Sequence, residues 1–74
     1  MDDLQTLVAT ILNVEPAVLL PDAPRTSIPK WDSFNHLMLI SELEGRLGVS
    51  FTMEEIGSIQ TLGQLHALIR KKRS

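Results

Sequence analysis

The chain has seventy-four residues, 43% of them hydrophobic and 22% charged, and no cysteine. That describes one small domain folding on apolar packing, with no disulfide to staple it and no thiolate to hold a metal. Disorder and low complexity do not fit this composition, and no apolar run approaches the ~20 residues that span a bilayer. The net charge of −2 is uneven: through Ile69 nine acidic residues face three basic ones, and the other four basic residues are Arg70, Lys71, Lys72 and Arg73. An acidic body repels nucleic acid and suits a basic protein partner. The basic run alone resembles a nucleic-acid arm, but cations at the end of a helix are explained by its dipole.

In chain order, Leu4, Leu7, Val8, Ile11 and Leu12 draw one apolar stripe and predict a first helix, with Asp2 or Asp3 as its cap. Asn13 and the Glu15-Pro16 pair end it near residue 14. The acidic opening argues against a secretory signal peptide. Residues 15–31 hold all four prolines and read as a long loop, with one short turn around Ala17–Leu20. Val18, Leu19, Leu20 and Ile28 are expected to pin it to the core. Loops longer than ~12–15 residues are uncommon in compact domains and often functional.

Asp32 is a strong N-cap and predicts a second helix over 33–47, stopped by Gly48 at the left-handed position with Val49 as its apolar contact. Val49-Ser50-Phe51 has no strand to pair with and reads as an extended connector. Thr52 and Glu55 have capping-box spacing, and Gly57 limits the third helix to about six residues. Thr61 and Gln64 repeat the pattern ahead of a fourth helix, with Leu62, Leu65, Leu68 and Ile69 as its stripe. The expected architecture is all-α: a small four-helix bundle with a long first loop. Its expected core is Leu37, Ile40, Leu43, Phe51, Ile56, Ile59, Leu62 and Leu65, with Leu47 also on the buried side of helix 2.

Few residues can do chemistry. His36 and His66 are far apart with no carboxylate motif, so no metal site is expected. Asp32, Ser33 and His36 supply a carboxylate, a hydroxyl and an imidazole, but on one helical turn their side chains radiate and form no relay. No glycine-rich phosphate loop is present. Ser33 is different. The loop delivers it to a helix N-terminus, whose unpaired N–H groups and partial positive charge favour an attached phosphate.

Trp31-Asp32-Ser33-Phe34, with Asn35-His36-Leu37-Met38-Leu39-Ile40-Ser41-Glu42-Leu43-Glu44 after it, resembles the Asp-Ser-Leu attachment motif and second helix of acyl carrier proteins. Leu47-Gly48-Val49-Ser50-Phe51 and the Glu54-Glu55 pair fall where that family has its helix 2–helix 3 connection. With the proline-bearing loop and the length, the similarity covers nearly the whole chain and implies an acyl-carrier-type bundle. It implies a cytoplasmic, monomeric carrier rather than an enzyme. Ser33 would take 4′-phosphopantetheine from coenzyme A through a phosphopantetheinyl transferase, and the arm's thiol would carry acyl groups as thioesters. Asp32 would support attachment beside the transferase's Mg²⁺. Acyl-loading and acyl-processing enzymes (a ligase, acyltransferase or synthase) would dock on Phe34, Met38, Ser41, Glu42, Glu54 and Glu55, with neither nucleic acid nor membrane as partner. On that surface Glu42, Glu44, Glu54 and Glu55 would ring an apolar spot at Met38. The short third helix would shift to admit an acyl chain, as in related carriers.

Two departures bear on pathway. Phe34 stands where the motif usually has Leu, and Asn35, Met38, Gly45 and Arg46 occupy positions that are often acidic in fatty-acid carriers. Trp31 and the proline-rich approach look more like stand-alone carriers of polyketide, mixed peptide–polyketide or related antibiotic-type pathways. A D-alanyl or aminoacyl carrier is the nearer alternative, ahead of fatty acid synthesis. An unmodified helical interaction module is the alternative of a different class.

Overall fold

The computed structural model of the chain describes residues 2–73, with only the backbone of Asp2. Four helices make up the framework: α1 (Asp2–Leu12), α2 (Ser33–Leu47), α3 (Met53–Ser58) and α4 (Leu62–Arg73). No strand occurs among the described residues; the single β-bridge joins Pro24 to Thr61. The domain is small and all-α. Among the described residues, no helix is long and apolar enough to cross a membrane.

The ends of these helices follow the expected local chemistry, with one exception. Asn13 takes a left-handed conformation (φ 59°) and closes α1. Asp32 accepts from the Asn35 N–H at 2.8 Å and opens α2. Gly48, at φ 67°, stops α2 while its N–H still reaches the Glu44 carbonyl. Thr52 and Glu55 exchange both bonds of a capping box at α3. Gln64 reaches back to the N–H groups of Gln60 and Thr61 at α4, and its own N–H bonds Thr61 Oγ1. The exception is α1. It already includes Asp2 and Asp3, so neither is its cap, and the cap position lies outside the described residues. Asp3 falls in its first turn, where the helix dipole favours an acidic side chain.

The core gathers Leu4, Val8, Ala9 and Leu12 of α1, Leu39, Ile40 and Leu43 of α2, and Leu62, Leu65 and Ile69 of α4, with Ile59 from the α3–α4 connection. Three core residues come from the first connection: Leu19, Ile28 and Trp31. Val18 and Leu20, expected to help pin this loop, are exposed. Backbone geometry explains the difference. Two 3₁₀ turns, Pro16–Val18 and Arg25–Ser27, leave room for single inward side chains rather than a buried face.

The expected core also needs correcting at helix 2. Leu37 is 53% exposed, whereas Leu39 is fully buried. The buried stripe is His36, Leu39, Ile40 and Leu43, with Leu47 half-buried beside it. His36 extends the stripe because its polar atoms are satisfied inside. The helix is therefore turned so that Leu37 leaves the core. Phe51 and Ile56 are half-buried and pack against the core from its edge.

Candidate functional site

The site is built around the start of α2. Its approach is clamped from both sides. Asn35 donates its side-chain amide to the Lys30 carbonyl at 2.7 Å, while its backbone N–H is held by the Asp32 carboxylate. Trp31 is buried directly before the cap. Ser33, the first helical residue, is thereby fixed in position yet exposed, and its hydroxyl makes no hydrogen bond among the described residues. The N–H groups of Ser33 and Phe34 precede the first intrahelical bond, so they point out of the helix end. A free hydroxyl beside such N–H groups can carry a phosphodiester without burying its charge. In this respect the residues present fit an attached phosphopantetheine.

Downstream of Ser33, α2 turns apolar side chains to solvent. Phe34 is 77% exposed, Leu37 53% and Met38 37%, with exposed Ser41 among them. Met53 at the start of α3 is 76% exposed as well. Isolated exposed apolar residues need no explanation, but three within five positions on one helix face form a patch. Phe34, Met38 and Ser41, expected on a docking surface, lie on this exposed face. Leu37, expected in the core, joins them, which only the true phase of the helix could have supplied.

The acidic rim is thinner than expected. Glu42 is exposed and lies 3.8 Å from Arg46 one turn on. Glu44 is taken up structurally, accepting from the Phe51 N–H at 2.8 Å. Glu55 binds the Thr52 N–H and Lys72 Nζ, the latter at 2.8 Å. Those bonds, led by Lys72, hold its carboxyl below the ordinary glutamate value. Glu54 is exposed and makes no ion pair among the described residues. Lys72 also lies 5.3 Å from the centre of the Phe51 ring, so this member of the basic run braces α3.

His36 lies away from any reactive role. It is buried, accepts from Trp31 Nε1 at 2.9 Å on Nδ1, and contacts the Ile56 carbonyl at 2.8 Å through Nε2. An indole N–H can only donate, so Nδ1 carries the lone pair and Nε2 the proton. Both nitrogens are committed. His36 therefore offers Ser33 no base and a metal no lone pair. No cluster of three metal-type ligands occurs among the described residues.

At the other end of α2, about 21 Å from Ser33 at 1.5 Å per residue, a groove of about 550 Å³ lies between α1 and α4. Leu4, Leu7, Leu47 and Ile69 line it, together with the polar Asp3, His66, Arg70 and Arg73. It is remote from the serine.

The chain matches no protein-family model, and no curated protein matches it.

Proposed function

We propose that the chain is an acyl carrier protein of the four-helix type. It holds acyl intermediates as thioesters on a 4′-phosphopantetheine arm at Ser33. The observation that carries this reading is the setting of Ser33: a clamped, exposed and unbonded hydroxyl at the start of a 15-residue helix, next to an exposed apolar patch. Support also comes from the resemblance of Trp31-Asp32-Ser33-Phe34 and the residues after it to the attachment motif of acyl carriers.

Attachment is a phosphoryl transfer. Ser33 Oγ forms a bond to the phosphorus that bears pantetheine in coenzyme A. The pyrophosphate bond of coenzyme A breaks, adenosine 3′,5′-bisphosphate leaves, and the hydroxyl proton passes to the transferase. This chain's share is positional: Asp32 and Asn35 hold the helix start, and the end N–H groups face the new phosphodiester.

Loading and processing enzymes dock on the patch of Phe34, Leu37 and Met38. Glu42 and Glu54 provide the charge around it. With so few free acids there, apolar contact sets residence time and charge only encounter rate. That surface, with Trp31 and the proline-rich approach, favours a polyketide-like or related specialised pathway over fatty acid synthesis, with an aminoacyl carrier as the nearest variant.

Intact-protein mass measurement after incubation with a phosphopantetheinyl transferase and coenzyme A tests the reading. The wild type gains the mass of one phosphopantetheine. Ser33→Ala gains none and keeps its helical circular dichroism, because an exposed first-turn serine contributes little stability. A wild type that gains no mass leaves the apolar patch as the binding face of an unmodified module. A Ser33→Ala variant that still gains it moves the attachment site.

A further inference from the structure

His36 is buried and fully bonded, and the proposed function gives it no task. Its two partners lie on different parts of the chain. Trp31 belongs to the segment leading into Asp32 and Ser33; Ile56 is the middle of α3. Among the described residues, no other hydrogen bond joins two buried side chains. We infer that His36 is a proton-sensitive pin that ties the Trp31 segment to α3 only while its imidazole is neutral. This does not rest on the carrier reading, since the linkage exists whether or not Ser33 is modified.

The chemistry follows from the donor inventory. Neutral His36 offers one lone pair, to the indole, and one N–H, to the Ile56 carbonyl. A second proton enters at Nδ1. The Trp31 N–H would then face another N–H 2.9 Å away, and that bond is lost. The imidazolium keeps its donor to Ile56, but it cannot stay dry. No neighbouring charge rescues it. Arg25, on the second 3₁₀ turn, opposes the cation. Of the carboxylates on nearby elements, Asp32 holds the Asn35 N–H, Glu44 the Phe51 N–H, and Glu55 is paired with Lys72 of α4.

Hydrating the ring requires one side of the seam to open, and the two sides differ. The Trp31 segment is anchored by its own buried side chain and by Ile28. No residue of α3 is buried. The side that yields is α3, which parts from His36 so that water reaches the ring.

Burial, the leading cause, lowers the His36 value, opposed by the Ile56 bond and aided by Arg25. The opened state titrates at the ordinary imidazole value near 6.5. Opening therefore takes up a proton, and is unaffected by pH well above 6.5. Below it, the open population of α3 rises by up to tenfold per pH unit until the closed-state value is reached.

Amide hydrogen exchange on the full chain at pH 7.5 and 5.5, read as protection factors by NMR, tests this. Protection across 53–58 should fall, by at most about tenfold, while α1 and α4 hold, and the Trp31 indole N–H signal should move over the same range. Uniform loss of protection in all helices would overturn the pin, since His36 would then report only global stability. So would an α3 whose protection relative to α4 is independent of pH. His36→Phe keeps a ring without either bond and should show the loosened α3 at pH 7.5, with no further dependence on pH. A His36→Phe variant that retains wild-type α3 protection at pH 7.5 would also count against it. If that substitution prevents folding, the wild-type comparison decides alone.

Discussion

The first connection and α3 are held to the bundle in opposite ways. The connection, residues 13–32, has almost no regular structure, yet Leu19, Ile28 and Trp31 are buried and its backbone is tied on both sides. Gln5 of α1 donates to the Pro16 and Leu19 carbonyls. Arg25 binds the Ile59 carbonyl through its side chain and the Gln60 carbonyl through its N–H, and the Gly63 N–H reaches the Pro21 carbonyl. α3 is regular and fully capped but buries no residue. Among the described residues, it is tied to the rest of the fold by the half-buried Ile56 side chain at the core's edge, the His36–Ile56 bond and the Glu55–Lys72 pair. Regular secondary structure is thus no measure of anchoring, since burial stabilises far more than a satisfied helix end.

The strongest test of that contrast is truncation on each side. Leu19→Ala removes a fully buried side chain from the loop and should destabilise the domain by about 2–5 kcal/mol in denaturant titration. Met53→Ala on exposed α3 should change stability by less than about 0.5 kcal/mol. Equal losses would show that α3 is as firmly built in as the loop.

The sequence carried the helix boundaries well, because caps are local chemistry. Asp32, Gly48, the Thr52–Glu55 box and Gln64 each act within four residues of themselves. It carried less of the loop and of helix 2. Whether Leu19 or Leu20 turns inward depends on 3₁₀ geometry that has no periodic signature. The phase of α2 was ambiguous because its apolar residues nearly encircle it. Leu37, Met38, Leu39 and Ile40 are consecutive, and His36 reads as polar until Trp31 and Ile56 satisfy it. The same ambiguity hid part of the site: Leu37 was assigned to the core and proved to belong to the patch beside Ser33. The placing of Ser33 at the start of the helix was legible from its cap and its approach.

A second test acts on the loop's backbone tie. A Cβ on Gly63 would lie 2.9 Å from the Pro21 carbonyl oxygen, which is closer than real Cβ contacts come. The carbonyl is backbone and cannot rotate away as a side chain would. Gly63→Ala should therefore cost about 1–3 kcal/mol through overpacking, despite placing a better helix former in α4. Gly45→Ala, with open space around its Cβ, should instead stabilise by up to about 1 kcal/mol. Thermal unfolding of the two variants separates contact from propensity. A Gly63→Ala protein as stable as wild type would mean that the loop shifts freely and is less fixed than its bonds suggest.

The smallest effect is expected at α3's outer brace. Lys72 holds Glu55 from α4 and covers the Phe51 ring, but the pair is partly exposed, so it adds little to global stability. Lys72→Met keeps the apolar stem over Phe51 and removes the charge. The global unfolding midpoint should move little, while exchange in α3 should quicken. Its pH signature is separate from that of His36. With the Glu55 carboxyl held below its ordinary value, the contribution is present above that value and is lost as pH falls through the lowered one. That window lies in the acid range below the imidazole's. In wild type, α3 should loosen in two steps as pH falls, His36 first and Glu55 second. In Lys72→Met the second step should shrink and the first remain. If both steps vanish together, the two ties are not independent, and α3 is held by one cooperative contact rather than by a pin and a brace.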